Sequence, residues 1–261
     1  MLSARRDRHE LVSASLAARD DGELAALLHD ASGGAVGVGG GASVLDVDGV
    51  RVFAKRIPIT ERELAHPHST ANLFDLPTFC QYGMYRLAGP GFGAWRELGA
   101  NLSLTEGVLG GESEAFALMH HWRVLPGRPP VASEHQDIEA VVAQFGGDSA
   151  VRVRLEELAD ARSSLVLFLE HLPDRLSECL NDPLASAEAV ERQIFDAVAF
   201  CAAARCSTWT DTSATCARTT TRSTSSISGW PRRPGSTSPT TSGSSSPGTS
   251  TTTPTTRRCD W

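Results

Sequence analysis

Apolar residues in the first thirty positions recur at the spacing of an amphipathic helix. Leu11, Leu16, Leu24, Leu27 and Leu28 fall near one another on a 3.6-residue repeat. This periodicity predicts helical structure over residues 1–30, which we interpret as an N-terminal extension that ends at residue 32. A glycine-rich stretch follows, from residue 33 to residue 41.

Two β-prone runs flank the dipeptide Asp48-Gly49, at residues 44–47 and 50–54. An Asp-Gly pair between such runs is a strong signal for a β-hairpin with a two-residue turn. The pattern therefore predicts two paired strands and places Lys55 on the second of them.

The segment from residue 57 to residue 93 is rich in Pro, Gly, His and Asn, which predicts a long ordered loop or an insertion. Apolar residues at helical spacing predict a helix over residues 94–109, although Gly99 weakens it. Residues 116–125 form a candidate strand that Pro126 ends.

Three further elements are expected before residue 200. Residues 133–145 predict a helix with Ser133 as its N-cap. Residues 151–155 alternate like a strand, whereas residues 155–161 suit a helix equally well, so both assignments stay open. The continuous apolar run 165–169 predicts a strand covered on both faces, and residues 185–200 predict a long helix.

The composition changes abruptly at residue 201. Residues 201–261 are about half Ser and Thr and lack Leu, Val, Glu, Lys and Phe. Seven arginines and two aspartates give this tail a net charge of +5, which leaves −12 on residues 1–200 of a chain whose net charge is −7. Because so little apolar surface cannot build a core, we expect a disordered, low-complexity tail.

Charge and hydropathy exclude several classes of protein. The acidic balance argues against a dedicated nucleic-acid binder. No apolar run reaches the roughly 18 residues that a membrane span needs, and the N-terminus lacks the apolar stretch of a signal peptide. We therefore expect a soluble, cytoplasmic protein without nucleic-acid or membrane partners. His120 and His121 have no metal-ligand partners at a recognisable spacing, so we interpret them as structural.

Lys55 is the only lysine in the chain; every other basic side chain is an arginine. A lysine flanked by apolar residues in a strand is costly to bury unless an anion partners it. Either Lys55 faces solvent, or it holds an anion such as a phosphate. A lysine of the second kind normally pairs with a glutamate on the following helix. Glu97 is the candidate, with Glu106 and Glu139 as rivals.

The glycine-rich stretch is the second candidate for phosphate binding. Residues 37–44 fit the pattern G-x-G-x-x-A-x-V, with Gly37 and Gly39 as its first two glycines and Ala42 in the third place. Glycines let backbone N–H groups approach phosphates closely. The alternative is that this stretch is only a flexible connector.

The order of these features resembles the protein-kinase superfamily, including its aminoglycoside-phosphotransferase branch. The matching features are the glycine-rich flap, the strand that ends in Val52-Phe53-Ala54-Lys55, the helix with Glu97, and the apolar strand followed by Glu170-His171-Leu172-Pro173. The resemblance covers about residues 33–200. Ala42 departs from the family's third glycine. The distance along the sequence from Lys55 to Glu170-His171-Leu172, which match the family's adenine-binding hinge, is long.

The resemblance implies an α+β fold. Its β-rich, kinase-like N-lobe would span residues 33–172, the start of an incomplete helical C-lobe would span 173–200, and the tail would follow over 201–261. The implied activity is transfer of the γ-phosphate of Mg²⁺-ATP to a hydroxyl group of an unidentified protein or small molecule. The implied ATP-binding residues are Gly37, Gly39, Lys55, Glu97, Glu170 and Leu172.

A kinase would continue with a catalytic loop of H-x-D-x-x-x-x-N type and then a D-F-G motif, and this sequence contains neither. The genetic code suggests a cause. If the codons are shifted by one base, Trp209-Thr210 forces an aspartate, Ser207-Thr208 permits a histidine two places earlier, and residues 226–229 permit Asp-Phe-Gly. We therefore interpret the tail as out-of-frame translation and expect the chain as written to be catalytically inactive.

Two alternatives stay open. The chain is either a non-enzymatic nucleotide-binding or scaffold protein with a genuine disordered tail, or a descendant of small-molecule kinases. The DNA sequence distinguishes a genuine disordered tail from a frameshifted one. A frameshift predicts that, after codon 200, high GC content moves to the third codon position of the shifted frame.

Overall fold

The computed structural model describes residues 2–31, 35–37, 40–81, 90–172 and 183–203. Within these residues the chain contains five strands and seven α-helices, so the expected α+β class is confirmed. They all belong to one compact unit, Met1–Arg222. The tail was expected to be disordered from residue 201, but residues 201–203 are helical. The rest of the tail, from residue 204 onward, lies outside the described part, and so does the segment that we interpret as out-of-frame translation.

The five strands form one antiparallel sheet with the order β1-β2-β3-β5-β4. Their bounds are β1 Ala35–Gly37, β2 Gly40–Val47, β3 Val50–Ile59, β4 Met119–Pro126 and β5 Ser163–Glu170. The predicted hairpin is confirmed: Val47 pairs with Val50, and Asp48 and Gly49 take the positive φ angles of 51° and 80°. Both central residues of a type I′ turn need such angles.

The helices are α1 Leu2–Ala17, α2 Asp21–His29, α3 Glu61–Leu64, α4 Ala94–Gly110, α5 Ile138–Gln144, α6 Ser149–Asp160 and α7 Pro183–Ala203. Short 3₁₀ helices lie at Thr78–Gln81 and Ser133–His135. None of the helices in the described ranges is long and apolar enough to cross a bilayer.

Strand alternation divides the apolar residues of the sheet between two cores. Val52, Ala54, Val166 and Phe168 pack against α1 and α2 on one face. Their neighbours along the same strands pack against α4 on the other face, namely Ile57, Ile59, Leu165 and Leu167. Strand β5 is therefore covered on both faces, as its continuous apolar run predicted. The N-terminal extension shares its core with the sheet.

A third apolar core lies in the segments inserted between the strands. We call it the insert core: it joins residues around Phe74 and Phe92 to α5 and α6, through Val141, Val151 and Leu155. The described residues of the segment 57–93, predicted as an ordered loop or an insertion, are ordered, but its first residues are not a loop. Strand β3 continues to Ile59, and the short helix α3 follows it.

Two local expectations were wrong. Ser133 does not cap a helix over 133–145, because α5 begins at Ile138 and Asp137 caps it by accepting the N–H of Ala140 at 3.0 Å. Residues 151–155 are not a strand but part of α6. Asp148 caps α6, and the helical spacing of Val151 and Leu155 buries both of them.

The capping box of α2 gives a first testable prediction. The Asp20 carboxylate accepts the N–H of Glu23 at 2.8 Å, and the Glu23 carboxylate accepts the N–H of Asp20 at 2.9 Å. We expect Asp20→Ala to lower the free energy of unfolding by about 1 kcal/mol, measured by urea denaturation. Glu10→Ala removes an equal charge from the exposed face of α1. Equal unfolding midpoints for the two variants would contradict the assignment.

Candidate functional site

Lys55 lies on the middle strand of the sheet. Strand β3 pairs with β2 on one side and β5 on the other, and Lys55 stands opposite Ala42 and Leu167. Its side chain is 18% exposed and shares the face of the sheet that α4 covers. The lysine is therefore held among apolar neighbours but reaches solvent at its tip.

Glu97 partners Lys55. The distance from Lys55 Nζ to Glu97 Oε1 is 2.6 Å, and the Glu97 side chain is 24% exposed. Glu97 lies in the first turn of α4, so this ion pair joins the helix directly to the middle strand. The rival glutamates lie elsewhere: Glu106 is exposed farther along α4, and Glu139 pairs with Arg152 on the insert.

The described residues of the glycine-rich stretch belong to β1 and β2, at the edge of the sheet. Gly37 is the last residue of β1, and Gly39 lies outside the described residues. The glycine that this conformation requires is Gly40, which the sequence pattern missed. Gly40 has a φ of 112°, and a Cβ at this position would lie 2.1 Å from the carbonyl oxygen of Arg56. Only glycine lets β2 begin so close to β3.

Two apolar side chains accompany Lys55 on its face of the sheet. Phe53 is two residues before Lys55 and stands opposite Leu169 of β5, so alternation places both on the Lys55 face. Phe53 is half-buried, and Leu169 packs against the α4 side of the sheet. Sequence reasoning assigned neither residue to the candidate site, although the period of two along β3 was a usable signal for Phe53.

Glu170 ends strand β5, and His171 and Leu172 follow it. The Glu170 side chain lies on the α1 side of the sheet, where Arg5 Nη2 donates to its Oε2 at 2.7 Å. The Arg5 guanidinium also donates to the carbonyl oxygen of Phe116 at 2.6 Å. Glu170 therefore binds α1 through its side chain, and its backbone N–H donates to the carbonyl oxygen of Leu118 at 2.7 Å.

A cavity of about 360 Å³ lies beside the ion pair between Arg5 and Glu170. Its lining includes these two residues and Arg8, His120 and His171. Its lining includes neither Lys55 nor Glu97. Within the described ranges, no three or more His, Cys, Asp or Glu residues are grouped to hold a metal ion.

His120 is buried against α1, where its Nδ1 lies 3.2 Å from Nδ1 of His9. The pKa of His120 is lowered to about 4, chiefly by burial; the neighbouring His9, Arg8 and Arg5 contribute to this lowering, and Glu170 opposes it. Burial also lowers the pKa of His9. Through these contacts His120, a residue of β4, packs against α1.

The lowered pKa of His120 predicts acid sensitivity. Because the unfolded state takes up the proton near pH 6.5 and the folded state only near pH 4, stability falls as the pH drops through this window. We expect a loss of about 2 kcal/mol between pH 7.5 and pH 5 from this residue. Urea denaturation of His120→Gln at both pH values should show a smaller loss than the unaltered chain. An identical loss would contradict the account.

Comparison with protein-family models and with curated proteins finds no match to this chain.

Proposed function

We propose that residues 33–172 form a nucleotide-binding lobe of kinase type and that Lys55 binds the phosphates of ATP. The observation that carries the proposal is the ion pair between Lys55 and Glu97, at 2.6 Å. Protein kinases use a lysine on their third strand, paired with a glutamate on the next helix, to hold the α- and β-phosphates. In this chain the lysine lies on the third strand and the glutamate on α4, with the short helix α3 between them.

Each chemical part of such a site has a residue to supply it. Lys55 supplies a point cation for the phosphates, and Glu97 keeps its ammonium group oriented. Gly37 and Gly40, at the facing ends of β1 and β2, would allow the backbone to approach the phosphates, and the sequence pattern assigns Gly39, which lies outside the described residues, to the same role.

The adenine would meet the apolar surface of Phe53 and Leu169, which lie on the Lys55 face. The N–H of Glu170 already donates to the carbonyl oxygen of Leu118 at 2.7 Å, so the ring edge would bind the backbone of Leu172. The side chain of Glu170 takes no part, because it binds Arg5 on the other face.

The proposal for the chain as written is binding without phosphoryl transfer. Transfer needs Mg²⁺ and a base that accepts the proton of the attacking hydroxyl. In the described part of the chain no three or more His, Cys, Asp or Glu residues are grouped to hold a metal ion, and the sequence contains no H-x-D-x-x-x-x-N or D-F-G motif. We therefore assign no metal ligand and no catalytic residue. A kinase ancestry followed by a change of reading frame accounts for this combination.

Isothermal titration with Mg²⁺-AMP-PNP, a non-hydrolysable ATP analogue, tests the proposal. We expect Lys55→Met to weaken binding at least about tenfold, because the phosphates lose their cation. Arg56→Met is the matched control: it removes an equal charge from the next residue of β3, on the opposite face of the sheet, where Arg56 approaches Ser164 Oγ at 3.4 Å. Equal affinity of Lys55→Met and the unaltered chain would overturn the assignment.

A further inference from the structure

Helix α4 begins without a capping side chain of its own. Its N-cap residue is Gly93, which forms no side-chain hydrogen bond. The first N–H groups of a helix need partners from outside the helix. For Ala94 this partner is the Oε1 atom of Glu63, at 2.7 Å, from a residue 31 positions earlier. A carboxylate at this end of a helix also interacts favourably with the helix dipole.

The Glu63 carboxylate is fixed from three further directions. Its Oε2 accepts from the backbone N and the Oγ1 of Thr60, both at 2.9 Å. Arg154 of α6 donates to both carboxylate oxygens, at 2.8 and 3.2 Å. The side chains of Glu63 and Arg154 are only 1% and 3% exposed. Burial alone would raise the pKa of Glu63, but Arg154 and the hydrogen bonds from Thr60 and Ala94 lower it below its ordinary value.

A second contact ties Glu63 to α4. The indole Nε1 of Trp95 donates to the backbone carbonyl of Glu63 at 2.7 Å. Trp95 is buried between α4 and the sheet. Glu63 therefore contacts α4 at both of its first two residues, and Glu97 lies within the same helical turn.

We propose that Glu63 is a positioning residue, which together with Arg154 of the insert holds the first turn of α4 where Glu97 can reach Lys55. The inference rests on the proposed function, because it gives the insert a role in nucleotide binding. The ion pair between Glu63 and Arg154 is buried and bidentate. Contacts within the protein therefore hold α4 in this position.

Two variants test the proposal in the full chain. Glu63→Gln removes the negative charge that faces Arg154. It also leaves a single acceptor oxygen, whereas both oxygens of the Glu63 carboxylate accept hydrogen bonds in the unaltered chain. Gly93→Ala leaves Glu63 intact, but its Cβ would lie 3.0 Å from Glu63 Oε1 and displace the carboxylate. Glu157→Gln is the matched control, because Glu157 pairs with Arg62 at the surface of the insert without a contact to α4.

The first readout is amide hydrogen exchange, which needs no nucleotide. We expect the amides of Ala94 and Trp95 to exchange about tenfold faster in Glu63→Gln and Gly93→Ala, and at the original rate in Glu157→Gln. Unchanged exchange in both test variants would overturn the proposal. If the Gln variant does not fold, the Ala variant decides.

The second readout is a double-mutant cycle on the affinity for Mg²⁺-AMP-PNP. Glu63→Gln should weaken binding about fivefold in the unaltered chain and have no effect in Glu97→Gln, because Glu63 acts through Glu97. An equal loss in both backgrounds would show a merely structural role and overturn the proposal. If the unaltered chain does not bind the nucleotide, the proposed function fails, and amide exchange alone decides whether Glu63 holds α4.

Discussion

Arg154→Met is expected to lower the free energy of unfolding by about 3 to 5 kcal/mol at pH 7, measured by urea denaturation. The substitution leaves the Glu63 carboxylate buried without its partner guanidinium. Methionine retains most of the apolar stem, so packing against Phe74, whose ring centre lies 4.5 Å from the guanidinium carbon, is largely kept. The loss therefore measures the charge of Arg154 rather than its volume.

The pH dependence of this variant has a definite sign. In the unaltered chain the pKa of Glu63 is lowered, so its contribution is complete above pH 4.5 and is lost as the pH falls through the folded-state pKa. Without Arg154 the desolvation of Glu63 dominates and its pKa rises. The deficit of Arg154→Met should therefore shrink between pH 7 and pH 5.

Arg152→Met provides the control for this experiment. Arg152 is two residues away on α6 and forms an ion pair with Glu139 at the surface. An exposed pair contributes at most about 1 kcal/mol. If Arg154→Met were no more destabilising than Arg152→Met, the buried pair would have no special role in the fold.

Phe168→Ala is expected to lower the free energy of unfolding by about 3 to 5 kcal/mol. Phe168 is fully buried on β5, where it stands opposite Ala54 of β3 and packs in the core formed with α1 and α2. Its removal leaves a cavity between the sheet and the N-terminal helices, because neighbouring elements on both sides prevent a full collapse.

Phe195→Ala is the matched control for this substitution, since Phe195 of α7 is 65% exposed. A surface replacement of this kind changes stability by no more than about 0.5 kcal/mol. Thermal unfolding of both variants by circular dichroism compares them directly. Equal melting temperatures would contradict the placement of Phe168.

Local patterns were sufficient for most elements of the fold. Asp48-Gly49 identified the hairpin because its turn chemistry depends on two adjacent residues. The run 165–169 identified β5 because a strand covered on both faces needs consecutive apolar residues. The strand interpretation of residues 151–155 was wrong. Val151, Val153 and Leu155 fit the period of a strand, but Asp148 caps a helix that begins at Ser149 and includes all three.

The long-range ion pairs could not be predicted from the sequence. Arg5 and Glu170 are 165 positions apart, and Glu63 and Arg154 are 91 positions apart. Such pairs depend on how distant elements pack, and no spacing along the chain indicates them. The three-dimensional arrangement, rather than any local motif, makes Glu63 the cap of α4.

The candidate site was predictable in part. Lys55 stood out because it is the single lysine, and Glu97 was selected as the glutamate of the following helix; the structure brings the two together. The choice of glycine was less successful. A one-dimensional G-x-G pattern cannot show that Gly40 is the position that approaches the Arg56 carbonyl.

Labelling with an ATP acyl phosphate, a reagent that transfers its acyl group to a lysine beside bound ATP phosphates, tests the central claim most directly. Lys55 is the only lysine in the sequence, so every acylated lysine reports on this one position. We predict that mass spectrometry finds the acyl group on Lys55 and that excess Mg²⁺-ATP suppresses this labelling. Absence of the acyl group from Lys55, or labelling of Lys55 that excess Mg²⁺-ATP does not reduce, would contradict a nucleotide site at Lys55.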